Sequence, residues 1–239
     1  MVIHLPGQSD FPLRLSDAPL PIRIALSLPL HLSTPQSFVF ITRFEQHHQA
    51  KQNASSPLLL LERSVFTDRH VFGRIAIEDG LMNGLERGVY NTWFEDVVSA
   101  LPNLIPDAFI YLRTDPSVCF ERLKERARSE EACVPFSYLK RLHDAHEHWF
   151  IHGSTPARLT GDGTVIPCAS AESPTEVGNV WLALMDESKC HSLLRGKVAF
   201  ILEGSAQLTV ERRPEMASGL QDLLLQMMNA RSQQVMAPT

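Results

Sequence analysis

Asp107-Ala-Phe-Ile-Tyr-Leu-Arg-Thr-Asp-Pro116 is the stretch from which the fold is read. Its apolar centre has the length and continuity of a strand buried on both faces of a parallel sheet. Asp115 is a good helix N-cap and Pro116 suits the first helical position. The helix they open is expected to bury Val118, Cys119, Leu123 and Ala127. Working outward, Pro57-Leu-Leu-Leu-Leu61 reads as a second buried strand that ends in Glu62-Arg63-Ser64, and Lys197-Val-Ala-Phe-Ile-Leu202 reads as a third. Val89, Tyr90, Trp93, Phe94, Val97, Val98 and Leu101 keep a 3.6-residue period and mark a helix. Leu139, Leu142, His146, Trp149 and Phe150 mark another, and Leu220, Leu223, Leu224, Met227 and Met228 a short last one. Strands alternating with helices predict an α/β fold, a three-layer parallel sheet with flanking helices whose ligands lie beyond the strand carboxyl ends.

The chain has 239 residues, 44% of them hydrophobic, enough for a sizeable core. Its 22 Lys and Arg against 27 Asp and Glu give a net charge of −5. That balance argues against a nucleic-acid partner. No apolar run approaches the roughly 18–20 residues that span a bilayer, so no membrane segment is expected. The four cysteines, at 119, 133, 168 and 190, form no CxxC pair and read as reduced thiols of an intracellular protein. Residues 1–36 hold six prolines and no lasting period, as a loosely ordered leader or a weak mitochondrial transit peptide would. Residues 37–153 form the organised core. Residues 154–195 read as an inserted, partly disordered segment, and 196–239 as the last strand, helix and tail.

Glu62 and Arg63 pair a hard oxygen ligand with a planar fork that matches phosphate, at a strand's carboxyl end. On position alone, a strand-end ion pair capping a neighbouring helix is the readier explanation. Arg122 and Arg126 share a helical face with Arg128 near its end, so they can converge on a transferring phosphoryl group. The alternative is an exposed face laced with Glu121, Glu125 and Glu130. Asp68 is either a ligand-facing acid or a helix N-cap. His47-His48 and the HxxH pair His143 and His146 lack a third ligand and read as packing. No GxxxxGK(S/T) phosphate cradle occurs in the 239 residues: the one Gly-Lys pair, Gly196-Lys197, has His191 and Val198 at the other key places and opens a strand.

Taken together, Leu59-Leu-Leu-Glu-Arg-Ser-Val-Phe-Thr-Asp-Arg-His-Val-Phe72, Tyr90-Asn-Thr-Trp93, Phe109-Ile-Tyr-Leu-Arg-Thr-Asp-Pro116, Glu121-Arg-Leu-Lys-Glu-Arg-Ala-Arg-Ser-Glu-Glu-Ala-Cys-Val-Pro135 and Leu142-His-Asp-Ala-His-Glu-His-Trp149 resemble the deoxynucleoside kinase family. The resemblance covers roughly residues 37–153. It implies a P-loop-kinase-like fold and transfer of the γ-phosphoryl of ATP to a deoxynucleoside 5′-hydroxyl. It places Glu62 with Mg²⁺ or the catalytic network and Arg63 at the reacting 5′ end. Asp68 would face the base, leaning towards cytosine or a purine, and Glu131 would touch the sugar. Arg122, Arg126 and Arg128 would form the phosphate lid. A homodimer, or a heterodimer with a related kinase, is implied through the helix at 89–101, in the cytoplasm or mitochondria. Against the family pattern, the first strand with its P-loop, the general-base glutamate and a base-reading glutamine near Ile41 find no match. The expectation is therefore an impaired kinase, or a non-catalytic kinase-family partner or nucleoside-binding protein, or the product of an altered splice form or gene model.

Overall fold

A computed structural model of the chain describes residues 1–4, 35–52, 58–101, 104–169, 173–177, 180–186, 190–205, 214, 217–226 and 228. The chain divides into two compact units, Met1–Asp107 and Ala108–Thr239. In the first, β1 (Val2–His4) runs antiparallel to β2 (Leu59–Leu61), with Val2 opposite Leu61. Three helical segments follow the chain: α1 (Pro35–Gln52), α2 (residues 65–78) and α3 (Gly84–Ala100). Phe40, Phe44 and His47 form the buried stripe of α1. Phe40 meets Tyr90 edge-on at 5.7 Å, and Phe66 meets Phe94 at 5.5 Å. Burying a phenylalanine contributes roughly 1.5–3 kcal/mol, so this aromatic cluster is a substantial part of the unit's core.

Two sequence expectations change here. The leucine run at 57–61 is not a strand buried on both faces: only three residues pair, they pair antiparallel to β1, and Leu60 is 45% exposed. A short apolar run signals a strand but not how many of its faces are covered. The apolar stripe of α3, read as a dimer face, is largely core of this unit, with Tyr90, Phe94, Val97 and Val98 buried. Of the leader at 1–36, Val2–His4 is a strand, and residues 5–34 lie outside the described residues.

In the second unit β3 (Ala108–Arg113) runs parallel to β8 (Val198–Glu203), in register from Ala108 opposite Val198 to Arg113 opposite Glu203. The sheet continues antiparallel through β7 (Val180–Met185), β4 (Ser154–Leu159) and β5 (Val165–Pro167), and β6 (Glu176–Val177) pairs with β7. The α/β architecture stands, a sheet with flanking helices, but the sheet is mixed where a parallel one was expected. Loops and hairpins joining sequential strands within 154–185 are too short for parallel crossovers, which need a dozen residues or more. The same stretch, expected to be partly disordered, supplies four strands among its described residues.

Two helices precede these strands, α4 (Pro116–Arg126) and α5 (Phe136–Phe150). Asp115 caps α4 as expected, accepting from the Ser117 amide at 2.8 Å, with Pro116 in the first turn. No residue of α4 is fully buried, however. Val118, Cys119 and Leu123 are half-covered, and Ala127 is the exposed left-handed C-cap, because the charged residues from Glu121 to Arg126 leave only a narrow apolar stripe. Trp149 and Phe150 of α5 pack edge-on against Phe109 at 5.3 and 5.5 Å. Beyond β8, residues 217–226 are helical with Leu223 and Leu224 buried; Met227 lies outside the described residues. Among the described residues no helix is long and apolar enough to cross a membrane.

Candidate active site

In the first unit the candidate residues follow β2 directly. Arg63 has a left-handed backbone, φ 67°, one of two non-glycine residues so placed among the described residues. Such a conformation costs an L-residue about 1–2 kcal/mol and marks positions that the surroundings over-determine. Its guanidinium lies 4.6 Å from the centre of the Phe72 ring. Glu62 is 87% exposed at its side chain and stands 3.9 Å from the Arg63 guanidinium. At that distance and exposure the pair adds little stability. Ser64 begins α2: its hydroxyl accepts from the Thr67 amide at 3.2 Å, and its own amide donates to the Thr67 hydroxyl at 3.3 Å.

Ser64, not Asp68, is therefore the cap. Asp68 opens a wide π-turn, Asp68–Gly73, inside α2 and is 2% exposed. The Tyr90 hydroxyl donates to Asp68 Oδ2 at 2.8 Å. Burial, and then the neighbouring Asp68 carboxylate, push the Tyr90 phenol well above its usual value, so it stays protonated as the donor. Tyr90 was legible as a core residue but not as a partner of Asp68, since the two are 22 positions apart.

In the second unit Arg126 and Arg128 converge on Glu131. Arg126 donates from Nη2 at 2.6 Å and from Nε at 3.0 Å to Glu131 Oε2. Arg128 Nη1 lies 3.7 Å from Glu131 Oε1. Glu131 thus occupies the role expected of Glu121, Glu125 and Glu130. Arg122 turns elsewhere: its Nη2 donates to the Gly204 carbonyl at 3.2 Å, just beyond β8. The structure accordingly brings Arg126, Arg128 and Glu131 together and leaves Arg122 out of that cluster.

A second charged network went unread in the sequence. At the carboxyl ends of β3 and β8, Arg113 grips Glu147 of α5 with Nε and Nη2, at 2.9–3.1 Å, and Glu203 with Nη1 at 2.9 Å. The Tyr111 hydroxyl donates to Glu147 Oε1 at 2.8 Å. Burial alone would raise the Glu147 carboxyl, but the hydrogen bonds from Arg113 and Tyr111 outweigh it and hold the group below its usual value. The histidines on α5 serve local packing: His143 Nδ1 lies 3.1 Å from the Thr114 carbonyl, and His146 stacks on Tyr111 at 5.6 Å.

A mixed sheet with flanking helices fits an α/β protein of the P-loop-kinase-like class. The sequence profile of the deoxynucleoside kinases matches residues 30–174, and the chain belongs to that family. It is 34% identical over 121 residues to human mitochondrial thymidine kinase 2, covering 51% of this chain and 44% of that protein. Mouse deoxycytidine kinase is 38% identical over 102 residues, 42% of this chain and 39% of that enzyme. A probable deoxycytidine kinase of fowlpox virus is 34% identical over 146 residues, 59% and 61% of the two chains. The chain therefore spans about two fifths to three fifths of the length of these relatives.

Proposed function

We propose that this chain binds a deoxynucleoside and presents its 5′-hydroxyl to the γ-phosphoryl group of ATP, the reaction of nucleotide salvage. The observation that carries the reading is Arg63, held left-handed at the end of β2 beside an exposed carboxylate and stacked on Phe72. Arg63 contacts the reacting 5′ end. Glu62 fits Mg²⁺ as a single hard ligand; among the described residues no three acidic, histidine or cysteine side chains gather into a metal site. Mg²⁺ tolerates such a site because it keeps several waters and takes phosphate oxygens. Arg126 and Arg128 neutralise phosphate charge, while Glu131 binds the sugar and Asp68 reads cytosine or a purine. When bound, Mg·ATP supplies the phosphoryl group and shields its charge.

Turnover by the chain is low, because its 239 residues hold no GxxxxGK(S/T) cradle and positioning is most of the catalysis in phosphoryl transfer. The same lack favours a second reading, a non-catalytic member that pairs with itself or with an active relative, in the cytoplasm or mitochondria. The test is a phosphorylation assay with Mg·ATP and all four deoxynucleosides, beside calorimetric binding of each. Deoxynucleoside binding with slow turnover that falls further in Arg63→Ala supports the first reading. Binding with no turnover, together with a mixed complex by light scattering, supports the second. Turnover in the ordinary kinase range of about 1–100 s⁻¹ would refute the claim of impairment. A folded chain that binds no deoxynucleoside would refute the first reading, and one that also forms no complex with itself or an active relative would refute the second.

A further inference from the structure

Asp68 does not stand alone. It is 2% exposed, Tyr90 is 1% exposed, and the phenol of Tyr90 donates to Asp68 Oδ2 at 2.8 Å. Three neighbours fix the phenol in turn. Phe40 meets its ring edge-on at 5.7 Å. The Arg69 guanidinium lies 5.8 Å from the ring centre. Gly73, at the end of the π-turn that Asp68 begins, leaves the space that the hydroxyl fills: a Cβ there would come within 2.6 Å of the Tyr90 oxygen and 3.1 Å of the Asp68 carbonyl. A buried hydroxyl placed this way favours one orientation of the carboxylate, whose terminal torsion is otherwise broad.

We propose that Tyr90 is a positioning residue for base recognition: acting through Asp68, it makes the site favour bases that offer an exocyclic amine over bases that offer a carbonyl at that edge. The inference rests on the reading of Asp68 as the base-facing acid. An ionised carboxylate can only accept, so it pairs with the amine of cytosine or adenine and opposes the carbonyl oxygen of thymine. Orientation is what turns this difference into discrimination. A carboxylate free to rotate can turn away from an opposing carbonyl, whereas one pinned by Tyr90 cannot.

The test measures dissociation constants of deoxycytidine and thymidine by calorimetry, without ATP, for the full chain and its variants. Tyr90→Phe keeps the ring and its contact with Phe40 while removing the donor. The ratio favouring deoxycytidine is expected to fall by about tenfold, the worth of a hydrogen bond to a charged group. In an Asp68→Ala background the same substitution should leave the ratio unchanged. Asp68→Asn offers an independent arm, since its amide oxygen can accept from Tyr90 and its NH₂ then faces the base. That variant should prefer thymidine, and adding Tyr90→Phe should weaken the preference, because the amide loses a bond that orients it. Thermal midpoints of all variants separate loss of fold from loss of selectivity. An unchanged ratio in Tyr90→Phe, or an equal change with Asp68 already removed, overturns the inference while leaving the kinase reading intact. A folded wild-type chain that binds neither nucleoside overturns both.

Discussion

Arg63 concentrates the conflict between stability and function in one residue. Its left-handed backbone carries a steric cost that glycine would not, while its guanidinium gains an exposed stack on Phe72 and a long ion pair with Glu62. Arg63→Gly is therefore expected to hold or raise the thermal midpoint, since relief of roughly 1 kcal/mol is worth about 2–4 °C in a chain of this size. Phosphate affinity and any turnover should fall sharply in the same variant. Differential scanning calorimetry beside the phosphorylation assay checks both. A drop of several degrees would mean that the side chain is structural, and that the strain is held for packing instead of chemistry. The pair Glu62-Arg63 was legible from residue type and place, because an acid and an arginine closing an apolar run are unusual whatever the fold. Its backbone conformation was not legible, since arginine has no preference for positive φ. Nor was the grip of Glu131 on Arg126, which depends on the left-handed turn at Ala127 that reverses the chain between them.

Among the elements, the join of β3, β8 and α5 is held by charge as well as by apolar packing. Glu147 receives Arg113 and Tyr111, and its carboxyl is held below the usual value. A group whose folded pKa is depressed contributes stability that is complete above its unfolded value, about 4.5, and is lost as pH falls through the folded value. Urea midpoints should therefore decline on the acid side from that point downward, and Glu147→Gln should flatten the decline while lowering stability near neutral pH. An identical acid limb in Glu147→Gln would place the sensitive carboxylate elsewhere. Tyr111 works in the opposite sense. Burial and the bond to Glu147 raise its phenol, so its contribution is complete below about pH 10, an ordinary phenol's value, and fades only above that. The strand and helix at 107–126 were legible because capping chemistry and hydrophobic run agreed on one boundary, Asp115-Pro116. The antiparallel strands of 154–185 were less so. Val180–Met185 shows the apolar run of a buried strand, but β4 carries Pro156 and Arg158, and its place beside β7 follows from pairing that no local pattern encodes.

For the whole molecule the question is which ligand the folded chain recognises by itself. The Tyr90 hydroxyl donates to Asp68 Oδ2 within a core of buried aromatics. The phosphate-binding candidates are differently placed. Arg126 and Arg128 are exposed and engaged with Glu131, so an incoming phosphate must compete for them, and no cradle of backbone amides of the GxxxxGK(S/T) kind occurs in the sequence. Under the proposed roles, a buried acid already bonded to Tyr90 and arginines already bonded to Glu131 make different predictions for thermal stabilisation. A ligand present at about 100 times its dissociation constant stabilises the folded state by about 2.7 kcal/mol. For a chain of this length that corresponds to a rise of roughly 5–10 °C. Deoxycytidine at millimolar concentration should produce a shift of that order, whereas Mg·ATP alone should produce almost none. Glu131→Gln should then enlarge the ATP shift, because its neutral amide holds Arg126 and Arg128 less firmly and leaves them free for phosphate. If ATP alone stabilises the wild-type chain as strongly as the nucleoside does, the phosphates have a cradle built from other residues, and the expectation of slow turnover falls with it.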